Sequence, residues 1–584
     1  MVSVPFTMIA ILCGSRAFTA STLSDGIDWK YRAATVRDAV RHAWNGYLEH
    51  AGDADDLNPV SRRGDTWLYT RATMYDGLDT LYVVGLRSEF DAAVAQIKAS
   101  SGAYAGSSVF PSKTFEYHIR TVGGLLGAFS VSGDRALLRE ARRAADCVLE
   151  AFGTRNGIPR KHARMAHWSR PARWAVARFL DRIRAMYDRE VWTNSLAGIG
   201  SFGLEMRFLS RETGDERYRQ AAEGIHRAIA TEWHRHGGPS SVRLLPKFWP
   251  TPRIRLPFTT DSSPDGAADG SAGLGSGGDS YYEYLLKEHL LEPSATPELA
   301  EMYGWMARLF VSNTSAAQTA DDSLVSNVVR RVGRSKRVVL SGSTFEHLSC
   351  FVPGLLALGA ISLPAHKSDL ALASELLESC VDSYDAMASG LGPDEALVYP
   401  GSATAAEPSL IFRPLGSSGA SFQLRPETVE SLFVLFRASG DVRYRDIGWR
   451  IFQRIEQHCR VESGGFSGLK NVNLNESSEL NLDDVMPSFF LAETLKYLFL
   501  LFSPTDVYAL DDWVFTTEAH ILSRKPRCAL PKSAAPPCTS DGIELYFQFP
   551  WEEIGLGFIG YICLRLLGRL RCCVRPQRAK PHSG

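Results

Sequence analysis

Four stretches of the sequence set charged residues at helical spacing inside apolar runs. They are Asp76 and Asp79 in MYDGLDTLYVVGL, Glu116 with Arg120 in FEYHIRTVGGLLGAF, Asp279 and Glu283 in DSYYEYLLK, and Glu427 and Glu430 in RPETVESLFVLF. Residues three or four apart point to one side of a helix. Like charges on that side repel unless something else uses them, and burying carboxylates without partners is costly. Two readings follow. The carboxylates pair structurally with arginines such as Arg120 and Arg425, or they line a pocket for a polyhydroxylated ligand or a cation. Carboxylates converging with arginine and aromatic residues suit glycoside hydrolysis, in which one carboxylic acid protonates the leaving oxygen and a second acts as base or nucleophile. Carboxylates, hydroxyls and carbonyls together also suit a hard cation such as calcium.

Other chemistries lack their residues. There is no HExxH motif and no CxxC pair, so zinc is unsupported. His162/His167 and His234/His236 have no acidic or cysteine companions at ligand spacing and read as surface histidines. No Walker A sequence is present. The net charge is −1, from 64 basic and 65 acidic residues, so no overall field draws nucleic acid.

The elements that must position these carboxylates form a repeated pattern. Seven segments begin with a polar cluster and run into an apolar, helix-like stretch, starting near Met74, Phe115, Ser195, Asp279, Glu346, Arg425 and Ser488. In most, a turn and a second amphipathic stretch follow. Three turns read Ser132-Gly133-Asp134, Thr213-Gly214-Asp215 and Ser439-Gly440-Asp441, where glycine caps one helix and aspartate suits the turn. Seven helical hairpins could stack in a line or close into a barrel. Closure places the more apolar helices inside and gathers the polar clusters at one end as an acidic pocket. The predicted class is all-α, with a small β-hairpin at Leu324–Arg331 and Arg337–Leu340. At 584 residues and 45% apolar composition, the chain has ample core material and is no disordered protein.

The flanks bear on compartment. Val4–Cys13 is a short apolar stretch followed by small residues, so residues 1–20 read as a signal peptide or short anchor. Sequons stand at Asn313 and Asn475. Ten cysteines are too few for a disulfide scaffold, although Cys350 and Cys380 bracket one helical pair, and Cys528 and Cys538 flank a Pro-rich segment. Arg160–Arg189 is a basic insertion that reads as a solvated helix face, and Thr259–Gly278 reads as a loop. Residues 28–522 form the expected catalytic domain, and 523–584 a Pro-rich and basic tail. Within that tail, Ile554–Leu567 is too short to span a bilayer but suits an interfacial helix beside Cys572 and Cys573. Membrane association through either terminus is therefore an open expectation.

From Arg37 to His520 the chain resembles the class I α-1,2-mannosidases, glycoside hydrolase family 47. The matching segments include RDAVRHAWNGYLEHA, DGLDTLYVVGL, FEYHIRTVGGLLGAFSVSGD, LEMRFLSRETGD, DSYYEYLLK, HLSCF, LRPETVESL, FFLAETLKYLFLLF and DWVFTTEAH. The resemblance implies an (α/α)7 barrel. It implies removal of terminal α-1,2-linked mannose from high-mannose N-glycans on glycoproteins, with inversion and with Ca2+, in the endoplasmic reticulum or Golgi lumen and as a monomer. By resemblance Glu116 is the general acid, Glu427 the general base, and Asp279 a third essential carboxylate also considered for the base. An inverting pair stands about 6.5–9.5 Å apart. Thr517 matches the calcium ligand. Arg120, Glu283, Arg425, Glu430, Phe489 and Glu493 match substrate-binding positions, and Cys350–Cys380 matches the family disulfide.

The sequence departs from the family at several points. Gly198 stands where glutamate is usual. Gly277 occupies a position that bears on branch preference, where arginine is typical of the endoplasmic reticulum enzyme. Asp394-Glu395 replaces Pro-Glu, and Ile521 follows His520 where proline is frequent. Two alternatives remain beside a processing mannosidase: an EDEM-like protein of glycoprotein degradation, and a mannose-binding lectin on a dead enzyme.

Overall fold

A computed structural model describes residues 10–100, 112–152, 154, 157–163, 193–242, 244–250, 272–315, 330–332, 337–339, 344–400, 410–475 and 478–526. The expectations for residues 1–9, most of the Arg160–Arg189 insertion, most of the Thr259–Gly278 loop, the full Asn475 sequon and the tail beyond residue 526 lie outside these residues.

Seven inner helical stretches follow one another around a closed ring. They are Ala72–Asp76 with Leu78–Val83, Gly123–Ser132, Gly203–Thr213, Asp279–Leu291, Val352–Ser362, Glu427–Ser439 and Leu495–Phe502. Each packs on the next, and a π-helical turn at Phe490–Thr494 brings the seventh back against the first. Their composition explains the placement. Gly123–Ser132 is buried from Gly123 to Val131, and Val352–Ser362 from Val352 to Ala360. A helix apolar on all sides belongs in an interior.

The outer helices are amphipathic. Arg135–Leu149 buries Leu137, Leu138, Ala141, Ala144, Ala145 and Val148, a stripe at three- and four-residue spacing, and leaves Arg135 and Arg139 outward. Six outer helices directly follow their inner partners, as the hairpin pattern predicts. The seventh pair differs: the inner helix Leu495–Phe502 takes as its partner the N-terminal helix Ala10–Ala51. The chain thus closes the barrel with its first helix against its last, which a pattern of successive hairpins does not contain. The ring is the (α/α)7 barrel that the sequence predicts.

The three repeated turns behave as read. Gly133, Gly214 and Gly440 adopt φ of 77°, 70° and 74°, a left-handed conformation that ends the inner helix. Asp134, Asp215 and Asp441 then accept the backbone N–H two residues on, opening the outer helix.

Strands are more numerous than expected. The predicted hairpin is present as the antiparallel pair Arg330–Val332 and Arg337–Val339. Two further sheets matter for the site. Glu395–Pro400 pairs with Leu410–Pro414 and Phe345–Glu346. Trp513–Phe515 pairs with Ile521–Ser523, and this last hairpin fills the ring. Its Phe515 lies against Phe433 and Tyr497 of two inner helices, and its strands pack on two others. The Cys350–Cys380 disulfide is formed and ties the start of an inner helix to its outer partner. No helix among the described residues is long and apolar enough to cross a membrane.

Candidate active site

The polar clusters gather where the inner helices begin. Asp279 and Glu427 are the first residues of theirs. Glu116 ends a short helical turn that opens into a π-helical turn, Tyr117–Val122. A π turn inserts an extra residue and re-aims its side chains, a device frequent at functional sites. Here one such turn carries Arg120 and the other carries Glu493.

Arg120 is the hub of one side. Its Nε donates to Glu116 Oε2 at 3.1 Å, and its Nη1 donates to Asp76 Oδ2, Ser488 Oγ and Glu518 Oε2 at 3.0, 2.9 and 2.8 Å. Burial works against the guanidinium charge, but Glu518, Glu116 and Asp76 hold its pKa well above the ordinary value. The guanidinium also lies 5.9 Å from the ring of Phe489, which is half-buried at the same mouth. Glu116 is the most open of these carboxylates, with 24% of its side chain exposed.

Asp79 takes the structural reading. Lys496 Nζ donates to Asp79 Oδ1 at 2.9 Å, and His520 stands between Asp76 and Asp79 at 3.2 and 3.3 Å. All four side chains are fully buried. Burial would raise both aspartate carboxyls, and these cations with Arg120 hold them below the ordinary range.

On the opposite side, Lys287 bridges Glu283 and Glu430. Burial, with Glu283 and Glu427 nearby, pushes Glu430 up to about 8 in spite of that lysine. Asp279 is pushed up to about 7, first by burial and then by Glu283, Glu427 and Glu346. Glu427 behaves differently. Burial raises it, but His347 Nδ1 lies 2.7 Å from its Oε2, and His347 and Arg425 together hold it below the ordinary glutamate range. Two carboxyls within one pocket are thereby pushed in opposite directions, the arrangement that separates proton-holding from proton-accepting groups.

The third side is the turn of the hairpin that fills the ring. Thr517 is half-buried there, and its backbone N–H donates to Tyr284 Oη at 3.2 Å. Tyr284 Oη in turn donates to Glu205 at 2.7 Å. Beside Thr517, Glu518 faces Glu493. Burial pushes both carboxyls well above the ordinary range, Glu493 further by the charge of Glu518, and Glu518 further by Asp76 and Glu116 against the pull of Arg120 and a bond to Glu493.

The structure therefore brings Glu116, Asp279 and Glu427 to one mouth with Arg120, Glu283, Glu430, Phe489 and Glu493. Arg425 reaches it through a bond to Asp394, so the departure at Asp394-Glu395 supplies the partner of that arginine. Sequence reasoning singled out neither His347 nor Glu518 as a site residue. Each lies inside a quoted motif, HLSCF or TTEAH, but its partner is 80 or more residues away, so no local spacing marks it.

The two glycine departures have different surroundings. A Cβ on Gly198 would lie 2.5 Å from Asn194 Oδ1 and 2.7 Å from Ser195 Oγ, so the local backbone does not admit a side chain without movement. Gly277 has φ +88° and ordinary room around it, its nearest neighbour being Ser195 Cβ at 3.6 Å.

A ring of inner and outer helices with converging carboxylates at one mouth defines a glycoside hydrolase of the helical-barrel class. The chain belongs to glycosyl hydrolase family 47, whose model matches residues 39–524. It is 35% identical to the mannosyl-oligosaccharide 1,2-alpha-mannosidase MNS1 of Arabidopsis thaliana, over 87% of this chain and 82% of that protein. It is 34% identical to the endoplasmic reticulum mannosyl-oligosaccharide 1,2-alpha-mannosidase of Homo sapiens, over 86% of this chain and 65% of that protein. Among solved structures it matches an alpha-1,2-mannosidase from Trichoderma reesei with a TM-score of 0.66 and 24% identity, covering 85% of this chain and 99% of that one.

Proposed function

We propose that this protein removes terminal α-1,2-linked mannose from high-mannose N-glycans on glycoproteins, with inversion at the anomeric carbon. The observation that carries the reading is Glu427, held anionic by His347 in a pocket where Asp279 is pushed the other way, within a chain whose relatives bear the name 1,2-alpha-mannosidase. Glu427 accepts a proton from the attacking water and afterwards releases it to solvent. Glu116, the most open of the carboxylates around Arg120, delivers a proton to the departing sugar oxygen and recovers it from solvent. Asp279 orients the water or the ring hydroxyls beside Glu427. Arg120 fixes Glu116, and Phe489 offers an apolar face to the sugar ring.

The residues present fit a calcium ion. Glu493 and Glu518 are buried against each other, and the hydroxyl and carbonyl of Thr517 stand next in the chain. Such an all-oxygen set suits a hard cation. When bound, the ion supplies positive charge and open coordination positions for sugar hydroxyls. The disulfide supports a lumen of the secretory pathway, the endoplasmic reticulum or Golgi, and the human relative's name points to the endoplasmic reticulum.

The test is to incubate the purified full chain with a high-mannose N-glycan, in calcium and in chelator, and to profile the released sugar and product isomers. Calcium-dependent loss of α-1,2-mannose is the expected result. Glycan binding without trimming would overturn it in favour of a lectin.

A further inference from the structure

Glu427 is not the end of its hydrogen-bond chain. His347 Nδ1 faces Glu427 Oε2 at 2.7 Å, and on the far edge of the ring His347 Nε2 lies 2.7 Å from Tyr384 Oη. Thr428 Oγ1 approaches the same nitrogen at 3.4 Å. His347 and Tyr384 are buried, at 1% and 2% exposure, so water does not compete for these bonds. Tyr384 sits on the outer helix Asp369–Asp385, away from the mouth, and does not belong to the pocket wall. The Cys350–Cys380 disulfide joins the two carriers: His347 lies three residues before Cys350, and Tyr384 four residues after Cys380.

An ionised carboxylate only accepts hydrogen bonds, so His347 Nδ1 must carry the proton that faces Glu427. In the neutral ring Nε2 then keeps a lone pair that takes a donor. Tyr384 supplies it, because burial and the neighbouring Glu427 charge keep the phenol protonated. We propose that Tyr384 is a positioning residue: its hydroxyl, tethered by the disulfide, fixes His347 in the Nδ1–H tautomer and so orients Glu427 as a proton acceptor. Without that hydroxyl only the longer Thr428 contact is left at Nε2, and the imidazole proton moves there more readily. A bare Nδ1 lone pair would then face the carboxylate and favour its protonated form. Outer partners of this kind commonly set ring orientation and tautomer for the group that does the chemistry. The other charged groups facing Glu427 are Arg425, Asp279, Glu430 and Glu493, and the substitution touches none of them.

This inference rests on Glu427 acting as the base. The experiment measures kcat and KM across pH for wild type, Tyr384→Phe and Glu427→Gln, with unfolding midpoints for each. Tyr384→Phe keeps the ring and removes one oxygen. The expected result is a kcat lower by about tenfold, KM within about twofold, and the acidic limb of the kcat/KM profile moved to higher pH. A folded Tyr384→Phe with a wild-type acidic limb, beside an inactive Glu427→Gln, overturns the role of Tyr384 alone. An active Glu427→Gln overturns the base assignment instead. Should Tyr384→Phe fail to fold, nitrogen NMR of the wild-type chain with labelled histidine decides. The His347 signals, identified by their loss in His347→Gln, are expected to report a protonated Nδ1 and a bare Nε2, and a protonated Nε2, with or without a proton on Nδ1, would overturn the proposal.

Discussion

Arg120 donates from Nη1 to Glu518 Oε2 at 2.8 Å, and this bond joins the inner helical stretch that carries Glu116 to the hairpin turn that carries Thr517. The same nitrogen holds Asp76 of a third inner element. Three segments far apart in sequence are therefore pinned by one buried cation. Removing one partner of such a cluster leaves buried charge uncompensated, which costs about 3–5 kcal/mol. Arg120→Gln is expected to lower the unfolding free energy by that amount in a urea titration and to abolish activity. Arg120→Lys keeps the charge but not the planar fork, so it is expected to recover part of the stability and little of the activity.

Glu427 and Glu116 can be separated from their structural neighbours by isosteric substitution. Glu427→Gln and Glu116→Gln each keep side-chain volume while removing proton transfer. Both are expected to lower kcat by about 10²–10⁴, Glu116→Gln with the unfolding midpoint nearly unchanged and Glu427→Gln with a lowered one, because the Glu427 carboxylate is buried against His347. Glu430→Gln differs, because Glu430 bonds Lys287 and Tyr497 within the wall. Its expected signature is a raised KM with a smaller loss of kcat. Steady-state kinetics on the same glycan distinguish the two patterns.

Much of this site was legible because its residues begin inner helices. Glu116, Asp279 and Glu427 each precede an apolar run, and a closed ring brings such starts to one mouth. The ring itself was legible from helix pairs joined by Gly-Asp turns. Two features were not. The last inner helix pairs with Ala10–Ala51 at the opposite end of the chain, which no local pattern records. The hairpin that carries Thr517 is made of two three-residue strands, Trp513–Phe515 and Ile521–Ser523, too short for an alternating pattern to stand out. His347 was hidden for a related reason: its partners Tyr384 and Glu427 become neighbours only when an outer and an inner helix close on it.

The raised carboxyls fix a sign for the pH dependence of stability. Burial and neighbouring carboxylates push Asp279 up to about 7 and Glu430 up to about 8 in the folded chain, against 3.8 and 4.5 as ordinary values. Between those limits the folded chain holds protons that the unfolded chain has released. Stability therefore falls as pH rises through the window, by up to about 1.4 kcal/mol per unit for each group. The lowered carboxyls of Asp76, Asp79 and Glu427 act in the opposite sense, but only as pH drops below the ordinary range. In chelator, the thermal midpoint is expected to decline from pH 5 to pH 8. Calcium is expected to raise it more at pH 8 than at pH 5, because deprotonated carboxylates bind the ion better. A midpoint that climbs over this range in chelator would contradict the assignment of these two groups.

Gly198 and Gly277 make opposite predictions for restoring the residues usual in the family. At Gly198 the obstacle is the Cβ itself, which meets Asn194 Oδ1 and Ser195 Oγ, and Ser195 caps the helix by accepting the Gly198 N–H at 2.9 Å. Gly198→Ala and Gly198→Glu should therefore destabilise the chain almost equally, by about 1–3 kcal/mol, through the displaced cap and the crowding. At Gly277 there is room, and the obstacle is backbone conformation alone, with φ at +88°. Gly277→Arg is expected to cost about 1 kcal/mol of stability. Its cation would stand two residues before Asp279 and next to Ser195, at the mouth where a branched glycan enters. The proportions of product isomers should shift while the total rate on a simple α-1,2-linked disaccharide stays within about twofold of the same variant's stability-corrected value. Unchanged isomer proportions would mean that this position does not touch the branch.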